Sequence, residues 1–373
     1  MTTIDEFAAG FGEEPGYLDF ASVGPLGRSV IEEEQAQLEL LRRARFGSLG
    51  SLDRQDERVR AAVAAVSGFR ADQVCFQPNT SSGLMHVMFG LTGGVLLSPA
   101  EFPSVTFAAA RASDSLGVLN PTWLDTAGGP VTPGVIRNQL TQNTAAVAVS
   151  LVDFRTGYLA DLEGIRQVIG DRLLIVDAIQ GFGVVDAPFE VADVVVSGGQ
   201  KWLRAGWSTG FLAMSDRAAE RLTPVFSGFS ATDEDLPLDE ILPPTRGVAA
   251  FSISNPDPIA QARLAAALED IARVGVAAIS ARLAEKVSRI IELADEYAVA
   301  VSSSRAEHER AGIVVLEPAV DQLTVLSASL FNHGVTVTTR QNTVRLSPHV
   351  STDEDSFDML RASFTGYASA ITV

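Results

Sequence analysis

The stretch Leu173–Lys201 reads LLIVDAIQGFGVVDAPFEVADVVVSGGQK, and this stretch decides the fold. The apolar run LLIV ends in Asp177, and a second apolar run, VADVVVS, ends shortly before Lys201. Short apolar runs of this kind are typical of buried strands in a parallel sheet. We therefore expect two strands to bring a carboxylate and an amine to the same edge of one sheet.

The lysine is unusual for this chain. Among 28 lysines and arginines, only Lys201 and Lys286 are lysines. A lysine amine can form a Schiff base with an aldehyde, whereas an arginine guanidinium cannot. Lys201 is therefore the candidate catalytic residue. The alternative is a buried Asp at a strand end together with an incidental surface lysine.

Three residues of this stretch, Asp177, Gln180 and Lys201, lie in the motifs D-A-I-Q and Q-K-W-L. Their spacing resembles the cofactor signature of the class V aminotransferase family, which includes cysteine desulfurases, kynureninases and isopenicillin N epimerase. That family binds pyridoxal 5'-phosphate (PLP). The resemblance implies that Asp177 keeps the pyridine nitrogen protonated, that Gln180 hydrogen-bonds the phenolic oxygen, and that Lys201 holds the aldehyde as an imine.

Composition limits the classes of partner. The chain has 373 residues, of which 46% are hydrophobic and 20% charged, so it can bury a large core. Its length suggests two domains. Its net charge of −18 argues against nucleic acid or an anionic membrane as partner, because both need a basic surface. One cysteine cannot form an internal disulfide, and the four histidines have no metal-ligand spacing. With no visible signal peptide or membrane span, we expect a cytoplasmic protein with no metal site.

A strand followed by small polar residues predicts a phosphate site. The strand Val74–Phe76 runs into Q-P-N-T-S-S-G and then into an amphipathic helix. Thr80, Ser81 and Ser82 would thus present hydroxyls and backbone N–H groups at a helix N-terminus. Ser81 matches the phosphate-binding hydroxyl of the resembled family. Taken alone, the pattern is more typical of a plain N-cap, and its place in a parallel α/β domain favours the phosphate.

Two further cofactor contacts follow from the resemblance. Phe102 lies in a loop after an apolar strand, where the family places the residue that stacks on the pyridine ring; a core phenylalanine is the alternative. Asp153 stands where the family commonly has asparagine near the phenolic oxygen. A carboxylate there would raise the pKa of one of the neighbouring groups, which Arg155 or Gln180 can offset.

The phosphate contacts near the lysine differ from those of the desulfurases, which often read S-x-H-K. Gln200 takes the place of the histidine, and Ser197 lies one residue further back than the desulfurase serine. We therefore expect only a weak correspondence between Ser197 and Gln200 and the phosphate ligands of that branch.

Residues 223–256 are rich in Pro, Ser and acidic residues and have no helical period. A loop of this length in a compact domain is usually functional. In the resembled family this region crosses to the neighbouring subunit and contributes to its phosphate site, which implies a homodimer with shared active sites. Ser254 and Asn255 are the candidate contacts, and simple turn residues are the alternative.

The substrate site is expected at Arg345, inside the apolar strand of T-V-R-L-S-P-H-V. A buried arginine is costly unless it meets a carboxylate, which its planar fork binds at two points. Arg345 matches the family arginine that holds the α-carboxylate of a small amino acid; pairing with an internal Asp or Glu is the alternative. Ser22, with Ala21, lies in an opening stretch similar to one near the family's active site, although the pattern is more typical of an ordinary turn.

The repeated order of strand, helix and strand predicts right-handed βαβ units whose ligands bind at the carboxyl ends of the strands. The resemblance implies the α/β fold of PLP-dependent transferases of fold type I. We expect a large domain with a mainly parallel seven-stranded sheet and a smaller α+β C-terminal domain. The boundaries are placed at 1–15 for an N-terminal segment, 16–256 for the large domain and 257–373 for the small domain.

The resemblance implies an enzyme that acts on a small amino acid. A persulfide-forming desulfurase needs a thiol on a mobile C-terminal loop, whereas Cys75 lies in a strand where it should be buried and inert. The motif R-L-S-P-H-V resembles ergothioneine-pathway C–S lyases, so we favour β-elimination of a C–S bond. Transamination, epimerisation, kynureninase-like hydrolysis and a catalytically inactive binding protein stay open.

Overall fold

The computed structural model describes residues 2–234 and 239–371. A seven-stranded sheet forms its centre, in the order β1-β7-β6-β5-β4-β2-β3. The strands are β1 (Val74–Phe76), β2 (Gly93–Leu97), β3 (Leu119–Trp123), β4 (Thr144–Ser150), β5 (Leu173–Asp177), β6 (Val194–Gly198) and β7 (Gly210–Met214). The pairs from β6 through β5, β4 and β2 to β3 are parallel. The mainly parallel sheet predicted from the sequence is thus confirmed.

The antiparallel strand β7 lies between β1 and β6 and pairs with both. Because two antiparallel pairings restore the direction, β1 points the same way as β6. The carboxyl ends of β1, β4, β5 and β6 therefore meet at one edge of the sheet.

Both faces of the sheet are covered, which explains why its central strands are apolar at every position. All five residues of β5 are buried. Leu174 and Val176 pack into the core on one face, while Leu173 and Ile175 pack into the core on the other. A strand covered on both faces shows no alternation of polar and apolar residues, and LLIV has none.

Thirteen helices are described, and none of those in residues 2–234 and 239–371 is long and apolar enough to cross a bilayer. They are α1 (Ile4–Ala8), α2 (Arg28–Arg43), α3 (Gly50–Asp53), α4 (Gln55–Ser67), α5 (Thr80–Gly90), α6 (Pro103–Leu116), α7 (Pro133–Gln139), α8 (Leu162–Ile169), α9 (Asp216–Arg221), α10 (Pro258–Val274), α11 (Val276–Glu296), α12 (Leu323–Asn332) and α13 (Glu354–Ile371).

The C-terminal part contains a three-stranded antiparallel sheet, as an α+β unit should. Its strands are β8 (Val314–Leu316), β9 (Thr338–Arg340) and β10 (Thr343–Leu346), in the order β8-β10-β9. Apolar residues of α11, α12 and α13 pack with β8 and β10 in a separate core. Val301 pairs with Leu316 of β8 through a single antiparallel bridge.

Helix α10 begins after the expected domain boundary but packs with the large sheet. Its residues Leu264, Leu268 and Ile271 belong to the same core as Leu174 and Val176 of β5. Sequence order alone assigns α10 to the small domain, whereas packing joins it to the large one. The boundaries themselves stay predictions.

An N-terminal stretch, residues 18–24, connects the small sheet to the loop that contains Lys201. The Leu18 N–H donates to the carbonyl of Thr336 at 3.0 Å, next to β9. Six residues on, the Gly24 N–H donates to the carbonyl of Gln200 at 2.8 Å. A Cβ at Gly24 would lie 1.9 Å from the carbonyl oxygen of Lys201, so only glycine permits this approach. The stretch therefore holds the backbone of the catalytic candidate in place.

Candidate active site

Three strand ends place candidate residues at one edge of the large sheet. Asp177 is the last residue of β5, and Lys201 follows the end of β6 by three residues. Thr80 opens helix α5, in the turn that follows β1. This edge is where parallel α/β sheets bind their ligands, and the sequence predicted it from the apolar runs.

Asp177 is the most deeply buried acid of this edge, at 2% exposure. Its Oδ1 accepts a hydrogen bond from the backbone N–H of Ile179 at 3.0 Å, while its Oδ2 is buried without a partner. Burial raises the pKa of Asp177 to about 6, against the opposing effects of that N–H and the charge of Lys201. A buried carboxylate oxygen with no donor is costly. A ligand that brings an N–H group would satisfy it.

Lys201 points its amine at the aromatic ring of Phe102, with Nζ 5.4 Å from the ring centroid. Burial lowers the pKa of Lys201 to about 8; Asp177 opposes this, and the charges of Arg345 and Arg340 add to the lowering. An amine with this pKa is neutral in a substantial fraction of molecules near neutral pH. Lys201 can therefore act as a nucleophile and as a base.

Gln180 is fixed by two hydrogen bonds. Its Nε2 donates to the carbonyl of Ala21 at 3.0 Å, and its Oε1 accepts from the indole Nε1 of Trp202 at 2.8 Å. One N–H of the amide is left to face a ligand, because a primary amide has two. The sequence analysis missed Trp202, although its place directly after Lys201 in the Q-K-W-L motif was a usable signal.

Two buried hydroxyls at this edge of the sheet have no protein partner. These are Thr80 Oγ1 and Ser197 Oγ, in residues that are 6% and 1% exposed. A Cβ at Gly198 would lie 2.6 Å from Gln200 Oε1 and 2.9 Å from Thr80 Oγ1, so the structure brings Thr80 and Gln200 together. Ser197 precedes Gly198 in β6 and therefore faces the other side of the sheet, away from Thr80. The unsatisfied hydroxyl of Thr80 at a helix N-terminus suits a phosphate.

Ser81 is exposed, and its Oγ lies 2.7 Å from Ser104 Oγ at the start of α6. Ser254 Oγ lies 3.1 Å from Ser230 Oγ, and Asn255 is exposed with a left-handed backbone φ of 52°. Within the described residues, neither Ser254 nor Asn255 is hydrogen-bonded to the groups around Lys201. Their contribution to a phosphate site stays a prediction.

The charge of Asp153 is paired within its own loop. Its Oδ2 lies 2.7 Å from Arg155 Nη2, and its Oδ1 accepts the backbone N–H of Arg155 at 2.7 Å. Of the two groups expected to offset this carboxylate, the structure selects Arg155. Asp153 therefore adds little net negative charge to the site.

The ring of Phe102 packs edge to face against Phe154, with 5.1 Å between centroids and 89° between planes. Phe102 is the residue that precedes Pro103 at the start of α6. The two rings form an aromatic wall beside Lys201. This arrangement fits the expected stacking role of Phe102 and does not support the alternative of a core phenylalanine.

Arg345 and Ser22 meet in one network, as expected for a shared site. Arg345 Nη2 donates to Ser22 Oγ at 2.7 Å, and Nη1 donates to the carbonyl of Phe154 at 3.1 Å. Nη2 also lies 3.4 Å from Asp19 Oδ1, so the internal carboxylate considered as the alternative is present but distant. Nε is buried without a partner. Arg345 thus keeps unused donor capacity in a buried position.

A buried acid that the sequence analysis missed, Glu101, lies next to Phe102. Its Oε2 accepts hydrogen bonds from the backbone N–H of Ser150 at 3.2 Å and from the hydroxyl of the same residue. Ser150 in turn pairs with Asp177 across β4 and β5. Burial raises the pKa of Glu101 to about 7, and the charges of Asp153 and Asp177 add to this. Its position at a strand's carboxyl end was the available signal.

No group of three His, Cys, Asp or Glu side chains in the described part of the chain is arranged to hold a metal ion.

A sequence profile described as "Aminotransferase class-V" matches residues 16–373. The chain belongs to the class V aminotransferase family. It is 26% identical over 316 residues to a kynureninase of Deinococcus radiodurans, covering 79% of this chain and 75% of that protein. It is also 26% identical over 226 residues to a probable cysteine desulfurase of Methanothermobacter thermautotrophicus, covering 57% and 56%.

Solved structures show the same fold. An apo cysteine desulfurase of Thermococcus onnurineus NA1 matches with a TM-score of 0.84 at 21% identity and covers 95% of each chain. The cystine C–S lyase C-DES, in complex with cysteine persulfide, matches with a TM-score of 0.84 at 18% identity and covers 94% and 97%. Relatives of this chain are PLP-dependent enzymes, and the expected family, fold, cofactor and enzyme class are confirmed.

The residues at the sheet edge fit PLP. The free Oδ2 of Asp177 suits the N–H of a protonated pyridine ring, and the buried hydroxyl of Thr80 at the start of α5 suits a phosphate. Lys201 supplies the amine, and Phe102 an aromatic surface beside it. We expect these residues to hold the cofactor.

We predict that PLP is attached to Lys201. Borohydride reduction followed by peptide mapping should find the phosphopyridoxyl group on the peptide of Lys201, because its amine is buried, partly neutral and close to Asp177. Lys286 is the matched control, since its amine lies 5.4 Å from the ring of Phe357 on another part of the molecule. Lys286→Ala should keep the label and Lys201→Ala should lose it. A label on Lys286 would contradict the assignment.

We predict that Glu101→Gln changes how stability depends on pH. The pKa of Glu101 is raised from 4.5 to about 7 in the folded state, so the folded protein retains a proton that the unfolded chain has released. Stability therefore decreases as pH rises from about 4.5 to 7 and stays lower above that range. Glutamine keeps the neutral form. The free energy of unfolding of the variant, taken relative to that of wild type, should be about 1 to 3 kcal/mol higher at pH 8 than at pH 4.

Urea unfolding of the apo-protein at both pH values would measure this difference. Glu220→Gln, at an exposed position of α9, is the control and should show no such change. If Glu101→Gln changes the free energy of unfolding by the same amount at both pH values, the Glu101 carboxyl has its ordinary pKa.

Proposed function

We propose that this protein is a PLP-dependent C–S lyase that cleaves a small sulfur-containing amino acid by β-elimination, without a catalytic cysteine. The observation that carries the proposal is the burial of Cys75, the single cysteine of the chain. A persulfide-forming mechanism needs an accessible thiolate. β-Elimination needs no thiol, and Lys201 can supply the base that it requires.

Cys75 lies in the middle of β1 and is 3% exposed. Its Sγ is 3.9 Å from the carbonyl oxygen of Phe251 and 3.6 Å from Nε2 of Gln77. Burial raises the pKa of Cys75 to about 12, although the amide of Gln77 opposes the shift. The thiol is therefore protonated and enclosed. It cannot attack a substrate and then carry sulfur out of the site.

Lys201 can perform the proton transfer that elimination requires. When bound, PLP supplies an electron-withdrawing ring that makes the Cα proton of an attached amino acid acidic. Asp177, whose Oδ2 is buried without a partner, would accept the ring N–H and stabilise its positive charge. With a pKa of about 8, the Nζ atom of Lys201 can take up the Cα proton. Loss of the sulfur substituent then consumes water overall and yields a thiol, pyruvate and ammonia.

The substrate's α-carboxylate is proposed to bind at Arg345. This guanidinium is held in place by Ser22 and by the carbonyl of Phe154, while its contact with Asp19 at 3.4 Å is the longest of its hydrogen bonds. A substrate carboxylate can replace that weak contact and use the vacant Nε donor. Bidentate binding of this kind fixes the orientation of the amino acid.

Hydrolytic cleavage of a carbon–carbon bond is the second candidate. It is favoured by the similarity to a kynureninase, which covers 79% of this chain, and by the aromatic wall of Phe102 and Phe154. The two reactions differ in their products. Hydrolysis at Cβ–Cγ leaves alanine, whereas β-elimination leaves pyruvate.

We predict that Cys75→Ala retains its C–S lyase activity. Incubation with cystine and with S-substituted cysteines, followed by mass spectrometry, should show pyruvate and ammonia at a kcat/KM within about twofold of wild type, because the thiol takes no part. Lys201→Ala should lose about 10²-fold or more, the scale of general base catalysis. Loss of turnover in a folded, PLP-containing Cys75→Ala variant would contradict the proposal. Accumulation of pyridoxamine phosphate with wild type would indicate transamination.

We further propose a homodimer with shared active sites. The described part of segment 223–256 contains two short 3-10 turns as its regular structure, and positions 235–238 of this segment lie outside the described residues. Its apolar side chains Phe229 and Ile241 are 45% and 102% exposed, and exposed apolar groups mark interfaces.

Sedimentation velocity of the PLP-loaded protein should give twice the mass of one chain, because burial of these side chains favours association. Dilution to nanomolar concentration should reduce activity together with the dimer fraction. A monomer that retains full turnover would contradict shared sites.

A further inference from the structure

A second arginine, Arg340, stands near the Lys201 site. It ends β9, and its side chain lies on the same face of that strand as Thr338, two residues earlier. The hydroxyl of Thr338 contacts the network of Arg345 and Ser22, at 3.3 Å and 3.0 Å. Arg340 is therefore on the strand face that borders the expected substrate carboxylate site.

The aromatic wall connects Arg340 to the reacting amine. The guanidinium carbon of Arg340 lies 5.3 Å from the centroid of Phe154. Phe154 packs against Phe102, and the amine of Lys201 lies over the ring of Phe102. Arg340 and Lys201 are thus connected through the two rings of one wall. A substrate that reacts at Lys201 and extends along the wall would point its side chain towards Arg340.

The charge of Arg340 is unpaired. Among the residues that the structure describes, no carboxylate lies within 4.0 Å of its guanidinium, whereas Arg345 and Arg155 each have a carboxylate partner. Arg340 is also exposed, so its donors are accessible. Its positive charge nevertheless reaches the site, because it contributes to the lowered pKa values of Lys201 and of Arg345. In a chain with a net charge of −18, an unpaired guanidinium beside a substrate site suits an anionic ligand group.

We infer that the substrate is an amino acid whose side chain ends in a second carboxylate, and that Arg340 binds this group while Arg345 holds the α-carboxylate. The inference rests on the proposed function, since it takes Lys201 as the reacting amine and Arg345 as the α-carboxylate site. Arginine suits this role because its planar fork binds a carboxylate at two points. The second carboxylate lies beyond the C–S bond that is cleaved.

A pair of matched substrates tests the inference. S-Carboxymethylcysteine carries the second carboxylate, and S-carbamoylmethylcysteine replaces it with a neutral amide of nearly the same shape. Wild type should prefer the carboxylate by about tenfold in kcat/KM, the scale of one charge-assisted hydrogen-bonded contact. Arg340→Gln should abolish this preference, so that the ratio of kcat/KM for the carboxylate to kcat/KM for the amide falls to about one. Arg340→Lys should retain part of it, because the charge remains but the fork is lost.

Arg111 provides the control. It is also exposed, stacks over a phenylalanine with 5.8 Å to the centroid of Phe107, and has no carboxylate within ion-pair distance in the described structure. Arg111→Gln should keep the preference of wild type. Arg345→Ala should lower kcat/KM for both substrates by the same factor, because both have the same α-carboxylate.

Binding without turnover gives an independent measurement. Adipate, whose carboxylates are as far apart along the chain as those of S-carboxymethylcysteine, should raise the Tm of wild type more than its monoamide adipamate does, and Arg340→Gln should remove the difference. An unchanged substrate preference in Arg340→Gln, or an equal loss for both substrates, would overturn the assignment of Arg340. If wild type cleaves neither cysteine derivative, the proposed function fails, and the Tm comparison then decides the role of Arg340 on its own.

Discussion

The buried pair of Asp177 and Lys201 is the interaction on which the site depends. Burial disfavours the charged form of each side chain, raising the pKa of Asp177 to about 6 and lowering that of Lys201 to about 8, while their mutual attraction opposes both shifts. Asp177 is not fully satisfied by the protein, since its Oδ2 has no donor. Such a pair is costly for stability. Such a pair is retained where a bound ligand supplies the missing hydrogen-bond partner. Groups with perturbed pKa values therefore mark active sites.

The parallel sheet makes this pair possible. Strands β5 and β6 are hydrogen-bonded neighbours that run in the same direction, so residues that follow their carboxyl ends meet. The N-terminal stretch then closes the site from the other side, because its contact at Gly24 leaves no space for a side chain beside the Lys201 carbonyl. The position of the amine is therefore fixed by both the first and the central parts of the chain.

The local charge of the site is opposite to that of the whole molecule. The chain carries a net charge of −18, yet Arg345 and Arg340 both border the reacting amine, and Arg155 neutralises Asp153. Anionic ligands are thus attracted by a small positive region inside an acidic protein. Salt screens the interaction between exposed charges that are more than roughly 10 Å apart. The local arrangement of charges therefore matters more to a small ligand than the net charge of the chain does.

The sequence by itself determined the parallel sheet, the meeting of Asp177 and Lys201 at one sheet edge, and the burial of the thiol. Apolar runs that end in Asp177 and before Lys201 predict adjacent buried strands, and Cys75 between two apolar residues predicts a buried thiol; the structure shows both. These are local patterns, readable because burial on both faces imposes continuous apolar strands.

Only the tertiary structure decided the partners of the site residues. The contacts of Trp202 with Gln180 and of Asp19 with Arg345, and the bond of Ser150 to Glu101, join residues separated by 22, 326 and 49 positions. Arg340 likewise lies over the ring of Phe154, which is in a loop far from it in the sequence. No local periodicity encodes such pairings, because each depends on how separate strands and loops pack in space.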